Sequence, residues 1–431
     1  MPTFRLRPRS TPVLRPLAQF LRTESASGAL LVLAVLVALA WANSPWGDAY
    51  RQLWEAELRL GVPAVGLALD LRGWINEGLM TLFFFVAGLE IKRELVDGEL
   101  REPRRAALPV FAAVGGVIVP ALLFLAVNWG GPGQHGWGVP IATDIAMAIG
   151  VLALLGRRVN ASIRLFVLTL AIADDIGAIF VIAVFYSSGI HTWSLALAVA
   201  IVGLIVLMQR LNVASITLYC LPGVVLWWAT HHSGVHATIS GVVLGLLTPA
   251  TARESREPAH GEVPTQRERP ALGPAAGDHR SASVVEMLEC RLHPLTSRVI
   301  LPLFALANAG VELSGQNIRT AAGSAVTAGV VLGLVLGKPV GITLFAWLAW
   351  RSGAADLPTN VSWHELLGAG CIAGVGFTVS MFVAGLAFPD VALEDQAKLG
   401  ILVASFAASL LGTAVLIRSR KSDERQMSPR G

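Results

Sequence analysis

Residues 162–187 read SIRLFVLTLAIADDIGAIFVIAVFYS, an apolar run interrupted at its middle by two adjacent carboxylates, Asp174 and Asp175. A helix needs about 20 mostly apolar residues to cross the hydrocarbon core of a bilayer. Ionisable side chains at that depth are costly and mark functional sites. The run therefore predicts a membrane-spanning helix that carries part of a functional site.

The composition of the whole chain agrees with a membrane protein. Of 431 residues, 54% are apolar and only 14% are charged, whereas soluble domains contain about 25% charged residues. The net charge of +4 does not indicate nucleic acid binding, because the basic residues stand in short tracts between apolar runs. Three cysteines without C-x-x-C spacing give neither a disulfide framework nor a zinc site.

Apolar runs recur along the chain and predict an all-α, polytopic fold with twelve spans. They lie near residues 27–43, 74–92, 106–128, 138–156, 162–187, 192–209, 213–230, 234–249, 295–311, 324–350, 364–387 and 397–417. This division leaves an N-terminal tail (1–26), a transmembrane domain (27–417) and a C-terminal tail (418–431). Residues 44–73 and 250–283 form its two long connections, and the Pro-, Arg- and Glu-rich second one predicts a disordered linker.

The distribution of Lys and Arg predicts the orientation. With both tails in the cytoplasm, 27 of the 33 basic residues fall in cytoplasmic segments and five in the outer ones. Such a bias sets the topology of membrane proteins. We therefore expect a multi-pass protein of the cell's inner membrane, with residues 44–73 outside and the linker 250–283 in the cytoplasm.

Two more ionisable residues fall inside apolar runs, Asp144 in GVPIATDIAMAIG and Lys338 in VLGLVLGKPVGI. Charges in separate helices are expected to converge, because each needs a partner in hydrocarbon. Adjacent helical residues point about 100° apart, so Asp174 and Asp175 should have different roles. Carboxylate oxygens suit a small cation, and neighbouring charges shift their proton affinity. A structural hydrogen bond between helices is the alternative for any single one of these aspartates.

Two spans contain features that disfavour a continuous helix. Pro140 and Thr143 precede Asp144 in the fourth span, and the eleventh contains the glycine-rich stretch 368–376. Paired interrupted spans indicate a transporter site, because unwound backbone is tolerated in a membrane only where it lines a cavity or is buried in protein. Close helix packing through small residues is the alternative for 368–376.

Other charged residues lie near the predicted cytoplasmic face. Glu90, Arg93 and Glu94 end the second span, and Glu289 and His293 precede the ninth. They form either one cytoplasmic mouth or an interfacial charge cluster without further function. The histidines at 231, 232 and 236 lack a matching set of metal ligands.

Seven segments together resemble the NhaA-type sodium/proton antiporters over about residues 28–417. They are FFFVAGLEIKREL, ATDIAMAIGVLALLG, LAIADDIGAIF, GVHATISGV, LPLFALANAGV, LGKPVGI and GFTVSMF. The resemblance implies inverted repeats formed by spans three to five and ten to twelve, with the broken fourth and eleventh spans crossing at mid-membrane. It also implies a homodimer through an extracytoplasmic β-hairpin, which would fall within 44–73.

The resemblance further implies roles for individual residues. Asp175 would bind the cation and carry protons, and Asp174 would be its partner, exchanging a salt bridge with Lys338. Thr143 and Asp144 would support the site and the crossing. The positions associated with pH response are Glu90, Arg93, Glu94, His236, Glu289 and His293.

From these residues we expect electrogenic exchange of one Na⁺ or Li⁺ leaving for two protons entering, without a cofactor. Two carboxylates release two protons when one cation binds, so each cycle moves one net charge inward.

Two alternatives stay open at this point. One is a sodium-coupled solute symporter of similar fold, although the spans offer few Asn, Gln or Arg residues for an organic substrate. The other is a polytopic enzyme using paired aspartates, although neither a G-x-G-D segment nor a D-x-x-x-D array is present.

Overall fold

The structure is a computed structural model that describes part of the chain. The described residues are 14–60, 67–187, 189–211, 213, 217–249, 283–358 and 361–427. The predicted linker 250–283 lies outside them except for its last residue, so its predicted disorder stays a prediction.

Almost all of the described chain is helical, because long apolar segments can satisfy their backbone hydrogen bonds internally only as helices. The α-helices are α1 (Leu14–Ala42), α2 (Gly47–Glu55), α3 (Leu71–Gly73), α4 (Met80–Val96), α5 (Pro103–Asn128), α6 (Ile145–Leu155), α7 (Ala161–Phe185), α8 (Thr192–Arg210), α9 (Thr217–His232), α10 (Thr238–Leu247), α11 (Val284–Leu295), α12 (Leu301–Asn308), α13 (Gly315–Ala322), α14 (Ala325–Leu332), α15 (Lys338–Arg351), α16 (Trp363–Ala373), α17 (Phe377–Ala387) and α18 (Val391–Met427).

Tighter and wider helical turns join several of these helices. The 3₁₀ segments are Glu99–Arg101, Gln134–Ile141 and Gly156–Arg158. The π-helical segments are Trp74–Leu79, Thr296–Ile300 and Gly333–Gly337. Each π-helical segment leads directly into an α-helix, namely α4, α12 and α15.

Within the described residues, seven helical segments are long and apolar enough to cross a membrane, or up to nine if each of two bent helix pairs forms one span. The seven are Leu71–Val96, Pro103–Asn128, Gln134–Leu155, Ala161–Phe185, Thr192–Arg210, Ala325–Arg351 and Val391–Ser419. The predicted spans near 213–230, 234–249 and 295–311 coincide with the shorter helices α9, α10 and α12. The all-α polytopic prediction is confirmed, while the count of twelve and the inverted repeats stay predictions.

The fourth and eleventh predicted spans are both interrupted. In the fourth, the 3₁₀ segment Gln134–Ile141 ends in extended backbone before α6 begins at Ile145. In the eleventh, α16 and α17 are bent by 48° relative to each other around residues 374–376. Gly374 also packs against the Leu334 carbonyl, where a Cβ atom would not fit. The glycines of 368–376 therefore serve both the break and close packing.

The connection between the first two spans folds into α2 and a two-stranded antiparallel hairpin. Strands β1 (Glu57–Leu60) and β2 (Leu67–Asp70) pair with Glu57 opposite Asp70. The β-hairpin that the family resemblance implies within residues 44–73 is therefore present in the described part of the chain, which is otherwise mostly helical. Helix α1 begins at Leu14 and α18 continues to Met427, so both extend beyond the apolar runs near the chain ends. This is because hydropathy identifies the part of a helix that contacts lipid and does not identify where the helix ends.

Glycines let the helices around the broken spans approach closely. Helix α5 packs along α15 with Gly115 against the Gly341 backbone, and α4 packs along α10 with Gly88 against the backbone of Val242 and Gly245. Such close approaches bring backbones together where any side chain would separate them. The packing of α5 on α15 places Lys338 deep in the protein, next to the middle of α7.

Candidate functional site

The two broken spans meet at Asp144, which ends the extended segment before α6. Its Oδ1 accepts a hydrogen bond from the Met147 amide (3.0 Å), so Asp144 is the N-cap of α6. Its Oδ2 accepts from both the amide (3.0 Å) and the hydroxyl (2.6 Å) of Thr378 in the first turn of α17. A helix N-terminus carries partial positive charge. One buried carboxylate therefore compensates two helix N-termini at once.

Thr143 connects this crossing to α7 and to the end of α16. Its hydroxyl lies 2.8 Å from the carbonyl oxygen of Ala373 and 2.7 Å from Oδ2 of Asp174. The Asp144 amide donates to the Val375 carbonyl at 2.7 Å. The breaks in the two spans are thus joined to each other by main-chain and side-chain hydrogen bonds.

Asp174 and Lys338 form a fully buried ion pair. The Lys338 Nζ lies 2.5 Å from Oδ2 of Asp174 and 3.0 Å from the Thr143 hydroxyl, and both charged side chains are 0% exposed. Lys338 is the first residue of α15, directly after the π-helical segment Gly333–Gly337. A buried charge is tolerated when it is paired and hydrogen-bonded. The expected convergence of Asp174 with Lys338 is therefore present.

Asp175 has a different environment from its neighbour. Its carboxylate forms no hydrogen bond to another described residue, and it interacts electrostatically with Glu90, Asp174 and Asp144. It lines a cavity of about 50 Å³ that Thr143, Asp144 and Thr378 also line. The roughly 100° between adjacent helical side chains explains the contrast: Asp174 faces the ion pair, and Asp175 faces the cavity.

Five of the six predicted pH-response residues lie together where α4 approaches α11. Arg93 donates a hydrogen bond to Glu289 and lies 3.8 Å from Glu94, while His293 Nδ1 lies 3.3 Å from Oε1 of Glu90. Burial raises the pKa of Glu289 to about 7, with Arg93 opposing and Glu90 adding to this rise. Glu90 and His293 also line the cavity of Asp175, so this cluster and the buried site share one space.

The sixth residue, His236, lies elsewhere. Its Nε2 donates to the Tyr186 carbonyl oxygen at 2.9 Å, and its Nδ1 lies 3.8 Å from Oε1 of Glu77. His231 approaches the same carboxylate at 3.7 Å. Glu77 and Glu90 are 13 residues apart, about 20 Å along a helix at 1.5 Å per residue. The structure therefore does not bring His236 to the other five.

Two residues of these clusters, Thr378 and Glu77, carry only weak signals in the sequence. Thr378 gave no signal beyond its place after the glycine-rich break, since a threonine in an apolar span usually bonds to its own helix. Glu77 lies within the predicted second span, and its position in an apolar run could have identified it as an intramembrane charge. His231 and His236 approach the Glu77 carboxylate only through tertiary contacts, which the sequence does not show.

The arrangement suits reversible binding of a small cation in competition with protons. Hard carboxylate and hydroxyl oxygens surround a small cavity, and a fixed ammonium neutralises one of the two adjacent acids. Among the described residues, no group of three or more His, Cys, Asp and Glu side chains could hold a resident metal ion.

Comparisons with known proteins agree with these features. The family model described as Na⁺/H⁺ antiporter 1 matches residues 18–416. The chain is 47% identical to "Na(+)/H(+) antiporter NhaA 2" of Sorangium cellulosum over 420 residues, which cover 94% of this chain and 90% of the relative. It is 47% identical to "Na(+)/H(+) antiporter NhaA 3" of Acidiphilium cryptum (95% and 92% covered) and 44% identical to "Na(+)/H(+) antiporter NhaA" of Rhodopirellula baltica (96% and 96% covered).

Proposed function

The chain belongs to the Na⁺/H⁺ antiporter 1 family, and from that premise we propose how its residues exchange the two ions. It is a multi-pass membrane transporter of Na⁺ and H⁺, not an enzyme. The proposal is electrogenic exchange, with one Na⁺ or Li⁺ exported for two protons imported across the inner membrane. We further propose that both termini lie in the cytoplasm. This exchange would contribute to sodium and pH homeostasis.

One observation carries the proposal: two adjacent buried carboxylates differ in their partners. Asp174 is held by Lys338 and Thr143, while Asp175 faces the cavity without a hydrogen bond to a described residue. A carboxylate in such a cavity can exchange its proton for a cation, because both species seek the same oxygens. Asp175 is accordingly the proposed cation and proton carrier.

The ion pair of Asp174 and Lys338 supplies the second proton in this scheme. When a cation enters beside Asp175, that carboxyl group releases one proton, Asp174 turns toward the cation, and the unpaired Lys338 ammonium releases the other. When the cation leaves, Lys338 takes up a proton and pairs again with Asp174, and Asp175 is protonated again. Two protons against one monovalent cation leave one net positive charge moving inward, worth about 2.3 kcal/mol per 100 mV. A negative-inside potential therefore drives sodium export, and the ion gradients suffice without a cofactor.

The remaining predicted residues take supporting roles. Asp144 and Thr143 hold the two breaks together around the cavity, so that the half-helices can move as one body. Glu90, Arg93, Glu94, Glu289 and His293 are proposed to adjust activity to cytoplasmic pH, and His236 to respond from its separate cluster. The hairpin of β1 and β2 is the proposed contact of a homodimer.

Reconstitution of the purified protein into proteoliposomes tests this function. Addition of Na⁺ to vesicles with an imposed proton gradient should collapse that gradient, and clamping the membrane potential should change the rate if the exchange is electrogenic. Asp175→Asn should reduce the exchange to the level of empty vesicles, because an amide neither releases a proton nor balances a cation. Asp356→Asn, at an exposed aspartate, is the matched control. Full exchange by Asp175→Asn would refute the assignment.

A further inference from the structure

A serine that the site described so far does not use lines the same cavity as Asp175. Ser297 belongs to the π-helical segment Thr296–Ile300, which follows Pro294 in α11 and leads into α12. Single π-helical turns are frequent at functional sites, because they rotate a side chain out of the α-helical register. The cavity is lined here by Thr296 and Ser297 together with Glu90 and His293.

The Ser297 hydroxyl lacks a protein partner. The residue is 3% exposed, and its Oγ forms no hydrogen bond with any described residue. Its neighbour Thr296 differs, because that hydroxyl donates to the His293 carbonyl oxygen at 3.0 Å. Buried hydroxyls are normally hydrogen-bonded, and an unpaired one calls for an explanation such as a bound water or ion. The Ser297 Oγ is thus a buried oxygen atom at the cavity wall that is available to bind a ligand.

The cavity suits a small cation in size and charge. Its volume of about 50 Å³ exceeds the ≈ 30 Å³ that one water occupies in the liquid. Acidic groups line it, and the Glu90 and Asp175 carboxylates interact electrostatically. The pairing of Glu90 with His293 connects this space to the charged cluster at the approach of α4 to α11. A cation on its way to Asp175 would therefore meet hydroxyl oxygen as well as carboxylate.

We propose that the Ser297 hydroxyl is a binding ligand for the alkali cation on its passage between Glu90 and Asp175. This inference rests on the proposed function and adds one residue to it. The Ser297 Oγ replaces one water of the partly dehydrated ion while the ion moves toward the Asp175 carboxylate. The hydroxyl is neutral, so it supplies an oxygen without adding a proton to the exchange.

Ser297→Ala tests the proposal, with Ser405→Ala as its matched control. Ser405, in α18, is also buried (4% exposed) with an unpartnered Oγ, but it does not line the cavity. In proteoliposomes, Ser297→Ala should raise the KM for Na⁺ about threefold to tenfold with kcat unchanged, the signature of lost ground-state binding. Thermal stability should stay at the wild-type value, since no protein hydrogen bond is lost.

The outcomes separate the two proposals. A Ser297→Ala KM within twofold of the wild-type value, or an equal rise in Ser405→Ala, would overturn the role of Ser297 while leaving the antiport function intact. Absence of Na⁺-dependent exchange in the wild-type protein would instead overturn the proposed function itself.

Chemical labelling gives an independent measurement. In a background with the three native cysteines replaced by serine, Ser297→Cys should react with Ag⁺, a thiol-reactive monovalent cation that fits a cavity of about 50 Å³, and Na⁺ should slow that reaction. Ser405→Cys should not react. A Ser297→Cys protein that resists the reagent, or whose labelling rate Na⁺ does not change, would contradict a cation passage at this residue.

Discussion

Two groups of charges differ in how the protein holds them: the buried site of Asp144, Asp174, Asp175 and Lys338, and the cluster where α4 approaches α11. In the buried site the ion pair is fully enclosed, and Asp144 compensates two helix ends. In the cluster, Arg93 is 32% exposed and serves two carboxylates. Asp144, Asp174 and Lys338 thus have fixed partners and Asp175 faces the cavity without one, whereas Arg93 shares its charge between two carboxylates at a partly exposed position.

The difference follows from the cost of leaving a charge unpaired. That cost is largest in the dry interior and falls where water can enter. A change at the buried site should therefore affect stability strongly, while a change in the cluster should mainly alter the response to pH. Three substitutions, taken from the largest expected effect to the smallest, test this contrast.

Lys338→Met should be the most destabilising. Removing one partner of a buried ion pair costs about 3–5 kcal/mol, because the other charge is left behind. The double variant Asp174→Asn/Lys338→Met should recover much of this loss, since it leaves no charge in that place. Thermal unfolding in detergent measures both. Arg105→Met is the control, because Arg105 pairs with Glu102 at an exposed position, where an ion pair contributes about 0–1 kcal/mol. Additive losses in the double variant would contradict a direct pair.

Thr378→Val should have an intermediate effect. It removes the 2.6 Å hydrogen bond from the hydroxyl to Asp144 and keeps the amide hydrogen bond. A hydrogen bond to a charged group contributes about 1.5–3 kcal/mol, and thermal unfolding should show a loss in that range. Thr378→Ser keeps the hydroxyl and should restore most of the stability. If Thr378→Val is as stable as the wild type, the hydrogen bond from the Thr378 amide alone is enough to stabilise the Asp144 carboxylate.

Glu289→Gln should be the least destabilising of the three, and its effect should appear as a change in pH dependence. Burial raises the pKa of Glu289 to about 7. Between about pH 4.5 and 7, the Glu289 carboxyl group is therefore protonated in the folded protein but ionised in the unfolded chain. This contribution stabilises the wild type at low pH and is lost as pH rises toward 7. The variant resembles the protonated form and should lack that loss, which amounts to about 2 kcal/mol between pH 5 and 7.

Unfolding measured at pH 5, 6 and 7 checks this sign. The stability of Glu289→Gln relative to the wild type should increase across the series. Ser283→Ala, which removes the side-chain cap of the same helix without changing an ionisable group, provides the control and should give a constant difference. A constant difference for Glu289→Gln as well would mean that its carboxyl group titrates normally.

Much of the fold and of the site could be predicted from the sequence. The apolar runs gave the helices, and the breaks at Asp144 and at 374–376 followed from proline, glycine and polar residues inside those runs. The charges within spans identified Asp144, Asp174, Asp175 and Lys338, since such residues stand out against an apolar background. The family resemblance gave six pH-response positions, and the structure brings five of them together.

Contacts between distant segments could not be predicted. The double role of Asp144 depends on Thr378, 234 residues away, and the isolation of His236 depends on Glu77 and Tyr186. Ser297 has no unusual local signal, because a serine in an apolar span usually bonds to its own helix.

The sequence by itself determined that the chain lies in a membrane, which segments are helical, and which charges must find partners there, because hydropathy and the cost of a buried charge act along the chain. Only the tertiary structure decided which of two adjacent aspartates is paired and which faces the cavity. Helix rotation and the packing of α5, α7 and α15 set that difference, and neither can be read from local composition.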